Sequence, residues 1–77
     1  MTETLLPIKK IKVIKRLNDH VDERKVFSLV NYIKDNGITG SLQVRRDGKR
    51  FELIEGYLLL HAARIMGIDE IPATILD

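Results

Sequence analysis

His61 stands four residues after Tyr57 and three before Arg64, a spacing that lines up all three on one face of a helix. A phenol, an imidazole and a guanidinium in one stripe can converge on an anion. Just upstream, Gly56 follows an apolar stretch that reads as a strand and opens the stretch that reads as a helix. That is where proteins commonly receive a phosphate, because the first amides of a helix lack partners and its dipole favours negative charge. Yet the segment IEGYLLLHAAR places Leu58, Leu59 and Leu60 where an anion site would want arginine or lysine. Either an anion site has lost its charges, or this is a helix start with a plain polar face.

Other groups of reactive side chains are weaker. Asp19, His20, Asp22 and Glu23 lie together, but nothing elsewhere supplies the partners of a metal site, and helix capping accounts for the acids. Glu52 and Glu55 flank a strand end, a poor pairing for acid–base work. No metal ligand set, no catalytic residue and no cofactor is expected. The chain has no cysteine, which excludes disulfides, thiol nucleophiles and cysteine-ligated zinc. Charge is more informative in its distribution than in its sum of +2. Lys9, Lys10, Lys12, Lys15 and Arg16 crowd one short segment, and Arg45, Arg46, Lys49 and Arg50 gather around a turn. Both groups can face a phosphate backbone, or simply solvate strand edges and turns.

These residues need elements to hold them. The 77 residues make one small domain, 1–77, with a thin core, so association with another copy or a larger parent protein is a natural expectation. No apolar run reaches the ~18 residues of a membrane span and no signal peptide opens the chain, so it reads as soluble and cytoplasmic. LLPIKKIKVIKR predicts a first strand near Ile8–Ile14, its lysines discouraging edge pairing. Asp22 predicts a helix N-cap, and Val26, Phe27, Leu29, Val30 and Ile33 form the buried face of that helix, which Gly37 ends. Leu42, Val44, Phe51 and Leu53 alternate in a hairpin turning at Asp47-Gly48. A second helix runs from Tyr57 to Met66 and stops at Gly67. At about 100° per residue, Leu58, Leu59, Ala62, Ala63, Ile65 and Met66 share its apolar arc and Leu60 is left exposed. A last strand, IPATIL, carries Pro72 at an edge or strand start. The expected fold is α+β: a small mixed sheet with two helices in β-α-β-β-α-β order.

That order and these words resemble the ParB N-terminal domain, whose fold is shared with sulfiredoxin. The family writes a strand, then G-E-R-R-x-R-A-A, a helix ending in glycine, and an E-I-P strand. Gly56, Ala62, Ala63, Gly67, Glu70, Ile71 and Pro72 stand where the pattern puts them. Ile33, Lys34, Gly37, Val44 and Arg45 fit the preceding S-I-K-x-x-G-x-x-Q-P-I-x-V-R, and LPIKKI is similar to the opening I-P-V-x-x-I strand. The likeness covers nearly the whole chain.

In that family the arginine box lies at a helix N-terminus and grips phosphate, holding a nucleoside triphosphate in ParB proteins and ATP in sulfiredoxins. By resemblance, Gly56 would admit the phosphate closely. Tyr57 falls at the family's glutamate or at sulfiredoxin's catalytic cysteine, Leu58 and Leu59 at the paired arginines, and His61 at the third. Gly40-Ser41 replaces the Gln-Pro pair. The resemblance thus implies a residual anion site at Gly56, Tyr57, His61 and Arg64, with its clamp missing. Sulfiredoxin chemistry is excluded for want of a cysteine. Nucleotide hydrolysis is disfavoured, since losing two charge-assisted contacts costs ~1.5–3 kcal/mol each. Three functions fit, in falling order. The first is a non-catalytic, ParB-like, DNA-associated module of the partition type, binding DNA weakly and without sequence preference. The second is a protein-interaction or dimerisation module with a lost nucleotide site. The third is a nucleotide-binding or nuclease enzyme.

Overall fold

The computed structural model describes residues 2–13 and 21–76. Strand β1 spans Thr2–Pro7, a single 3-10 turn Ile8–Lys10, β2 Ile11–Lys12, helix α1 Glu23–Asn36, β3 Leu42–Asp47, β4 Arg50–Glu55, helix α2 Tyr57–Ile65 and β5 Glu70–Leu76. The five strands form one mixed sheet in the order β1-β5-β3-β4-β2. β1 is antiparallel to β5, β3 is antiparallel to β4, and the β3–β5 and β2–β4 contacts are parallel.

The expected first strand, Ile8–Ile14, is replaced by two shorter ones. Pro7 ends β1, and the N–H of Ile8 still donates to Asp69 O at 2.9 Å, the next pair of the β1–β5 register, before the 3-10 turn takes the chain away. Ile14 lies outside the described residues. This break shapes the molecule. β1 and β2 are opposite edges of the sheet, yet only four residue steps separate Pro7 from Ile11. Four steps reach at most about 14 Å, whereas four inter-strand gaps of a flat sheet span about 19 Å. The sheet must therefore roll up. Its concave face collects Leu6, Leu42, Val44, Leu53, Ile71, Ala73 and Ile75, all buried, with Ile8 and Ile11 at the corner.

Helix α1 begins as its sequence directs. The Asp22 side chain accepts from the Arg24 N–H at 2.9 Å, Glu23 lies in the first turn, and Gly37 closes the helix at φ +77°. Its buried face is narrower than expected: Val26 and Ile33 are buried, Leu29 and Val30 half-buried, and Phe27 is 69% exposed. The residue after Val26 is turned by about 100°, which carries Phe27 off a stripe whose main neighbour is α2.

Helix α2 corrects the leucine assignment. Leu60 is fully buried with Ala63 against the sheet, while Leu58 and Leu59 are half-buried and Ile65 is 57% exposed. The helix sits in the angle between the sheet and α1, so two neighbours, not one, define its buried arc. Ala62, buried but outside the main core, lies toward the second. The hairpin also shifts by one residue. Gly48 and Lys49 make the turn, with Gly48 at φ +62°, and Asp47 remains in β3 opposite Arg50. Pro72 is neither at an edge nor first in its strand: it is the third residue of the interior strand β5, tolerated because it lies ahead of the Leu42–Ala73 contact where β3 begins.

Candidate nucleotide groove and basic corner

A groove of about 440 Å³ opens where β4 passes into α2. Its walls are Leu29 of α1, the Thr39-Gly40-Ser41 loop, Gln43 of β3, Glu55 and Gly56 at the junction, and Leu58 and Leu59 of α2. It shares Leu29 and Leu58 with a shallower cleft of about 420 Å³ bounded by Arg24, Lys25 and Ser28. The two half-buried leucines therefore line an opening. Leu59 also packs against the core, whereas Leu58 does not.

Gly56 occupies a left-handed conformation at φ +108°, from which it supplies no side chain to cap α2. A Cβ there would lie 2.8 Å from Leu42 Cδ2 and 3.3 Å from Leu42 Cα. The glycine is thus demanded by its backbone and by the close approach of β3, whatever occupies the groove. The first intrahelical bond is Leu60 N–H to Gly56 O at 3.0 Å, so the amides of residues 57–59 have no intrahelical acceptor. Around that polarised helix end the charge is of the wrong sign for phosphate. Glu55 is the sole ionisable side chain in the lining, and Leu58 and Leu59 bring only hydrocarbon. Ser41 Oγ is 3.1 Å from Thr74 Oγ1, which ties the loop to β5.

Of the four sequence-predicted anion residues, only Gly56 borders the groove. Tyr57 and His61 lie beside each other on another flank of α2, both half-buried, with ring centroids 5.7 Å apart and tilted by 31°. Arg64 continues that line, exposed. Sequence reasoning missed the wall contributed by α1. Its one signal was Arg24-Lys25 in the first turn of a helix, where the macrodipole disfavours cations.

The basic residues gather at the opposite rim of the sheet. Lys9, Lys10, Lys12, Arg45, Arg46, Lys49 and Arg50 are all exposed. Lys15 and Arg16 lie outside the described residues, as do Asp19 and His20. Lys12 of β2 is bridged to Asp47 at the hairpin end, and that carboxylate holds the ammonium above its ordinary pKa. This contact joins two basic groups that the sequence separates by more than thirty positions. Cross-strand neighbours alternate in sign, Arg45 opposite Glu52 and Asp47 opposite Arg50, while the Arg46 guanidinium lies 5.9 Å from the Phe51 ring centroid. Asp47 and Glu52 are interspersed among the cations of the hairpin and β2, and Asp69 and Glu70 line a cleft with Lys9. Glu52 and Glu55, three apart on a strand, belong to opposite faces and form no acid pair. Among the described residues no group of three potential metal ligands occurs, and no helix is long and apolar enough to cross a membrane.

A family model of the ParB N-terminal domain matches residues 2–77. The chain belongs to the ParB N-terminal domain family. It is similar to the chromosome-partitioning protein ParB of Myxococcus xanthus, with 33% identity over 73 residues, 94% of this chain and 25% of the relative. The chain thus spans a quarter of that relative's length. Its fold is that of sulfiredoxin from Arabidopsis thaliana, at a TM-score of 0.89 and 21% identity over all of this chain and 86% of that one. The C-terminally truncated ParB of Caulobacter crescentus, solved in complex with CTP-γ-S, aligns at a TM-score of 0.85 and 17% identity over all of this chain and 45% of that one. The expected sulfiredoxin-like α+β architecture is therefore the observed one, with a short fifth strand added by the break after Pro7.

Proposed function

We propose that this ParB-family domain is a non-catalytic, DNA-associated module whose basic corner contacts the nucleic-acid backbone. The observation that carries the proposal is the Lys12–Asp47 bridge, which brings the segment bearing Lys9, Lys10 and Lys12 against the hairpin bearing Arg45, Arg46, Lys49 and Arg50. A cluster of exposed lysines and arginines suits phosphates, which supply affinity without sequence information. The interspersed Asp47 and Glu52 keep that affinity low. No element of the rim is a helix shaped for the major groove, which fits binding that ignores base sequence. Fluorescence anisotropy with unrelated duplexes at low and moderate salt tests the proposal. Equal, salt-sensitive binding to all of them is expected, and absence of binding even at low salt would overturn it.

The nucleotide groove supports the non-catalytic part. The groove is open, but two leucines and Glu55 line it where a triphosphate needs cations. A second reading, a protein-interaction module, draws on one observation of its own: Phe27 is 69% exposed on α1. A large aromatic left in water on a small domain is a natural contact for another protein surface.

A further inference from the structure

The groove at the start of α2 and the cleft beside it form one trough. Leu29 of α1 and Leu58 of α2 border both, and Leu59 extends the apolar wall on the groove side. Charges stand on either side of these leucines and differ in sign. Glu55, exposed, borders only the groove, whereas Arg24 and Lys25, also exposed, border only the cleft. Asp22 lies 3.8 Å from the Arg24 guanidinium and offsets part of that charge, which leaves Lys25 the larger share. Both cations sit in the first turn of α1, where the helix dipole disfavours them. An acidic group brought in from outside would offset that cost. Close to Glu55, the amides of residues 57–59 lack intrahelical acceptors. Donors beside a carboxylate suit a neutral carbonyl better than a phosphate.

We propose that this trough docks an extended segment of a different protein, with apolar side chains on the leucines, a basic residue at Glu55 and an acidic one at Arg24 and Lys25. Such a segment meets every feature of the site at once. Its backbone carbonyls accept from the amides of residues 57–59, its apolar side chains cover Leu29, Leu58 and Leu59, and its two charges match the two ends. A triphosphate or a nucleic-acid strand meets Glu55 with the wrong sign, and a purely apolar ligand leaves the charges and amides without partners. About ten extended residues reach at most ~33–36 Å, enough to cross the molecule along its longest extent of 33 Å. Few side chains carry the contact, so it is weak beside a standard protein interface. The inference gives the protein-interaction reading a site and a partner chemistry, and it stands apart from the basic corner and its DNA.

A display library of random peptides, each about ten residues long, selected on the immobilised parent chain tests the proposal. Enriched peptides are expected to carry apolar residues with a basic residue on one side and an acidic one on the other. A peptide synthesised from that set should bind Leu58→Ser roughly tenfold more weakly than the parent, since one leucine contact is lost. Selection on Glu55→Lys, whose change lies at an exposed strand end, should drop the basic residue and keep the acidic one. Leu58→Ser should still bind duplex DNA as the parent does, which separates failure here from failure of the DNA-binding proposal. No enrichment, enriched peptides without opposite charges, undiminished binding to Leu58→Ser, an unchanged selection on Glu55→Lys, or displacement of the peptide by a nucleoside triphosphate would each overturn the proposal.

Discussion

Leu58, Leu59 and Leu60 are consecutive and chemically identical, and the fold gives them different duties. Leu60 is enclosed between α2 and the sheet, so Leu60→Arg strands a charge in the core and is expected to abolish cooperative folding. Leu58 and Leu59 border the groove, and a long cation at either position can extend its head into solvent. Leu58→Arg with Leu59→Arg is therefore expected to cost no more than about 1–2 kcal/mol in urea unfolding, with the larger share at Leu59, which packs on the core. The same double variant should gain binding of a nucleoside triphosphate that the parent lacks, measured by calorimetry. A folded double variant that binds no anion would show that the end of α2 is not aimed at a phosphate position. Gly56 has its own test: Gly56→Ala meets both a left-handed φ and Leu42, and should lose about 2 kcal/mol or more whatever the ligand.

At the level of elements, what was legible in the sequence was what is local. The α1 cap at Asp22, its stop at Gly37, the alternation through β3 and β4 and the glycine-opened α2 all follow from residues within a few positions of each other. Removing that cap, Asp22→Ala, should cost about 1 kcal/mol and lower the melting temperature by several degrees. A drop no larger than that of an exposed control such as Glu23→Ala would contradict the capping role. What was not legible depends on distant partners. Leu60 was misplaced because a helical projection supplies one buried arc, and α2 has both the sheet and α1 to pack against. Phe27 was misplaced because the main neighbour of α1 is one helix, too narrow a partner to cover five apolar positions. The split of the first strand is visible only once β1 is paired with β5 and β2 with β4, on either side of the 3-10 turn. The site shows the same division. Gly56 and the leucines at the groove could be picked out in the sequence, whereas the α1 wall and the meeting of the two basic groups arise from tertiary packing.

For the whole molecule, the rolled sheet separates two regions with opposite character. One end carries a groove with a single carboxylate and leucine walls, poorly suited to an anion. The other carries exposed cations of β2 and the hairpin joined by the Lys12–Asp47 contact, with Lys9 and Lys10 in the turn that precedes β2. In a family whose N-terminal domain is recognised here over residues 2–77, this distribution argues for contact with nucleic-acid backbone and against nucleotide turnover. The measurement that tests this most directly is the slope of log K against log salt for a duplex of arbitrary sequence. Each neutralised phosphate contributes a slope of about −0.9, so four engaged cations predict a slope of roughly −3 to −4. The variant Lys9→Gln, Lys10→Gln, Lys12→Gln should bind more weakly with a slope shallower by about 2–3. A parent that fails to bind at low salt, or a variant that keeps the parent's affinity and slope, would contradict the account.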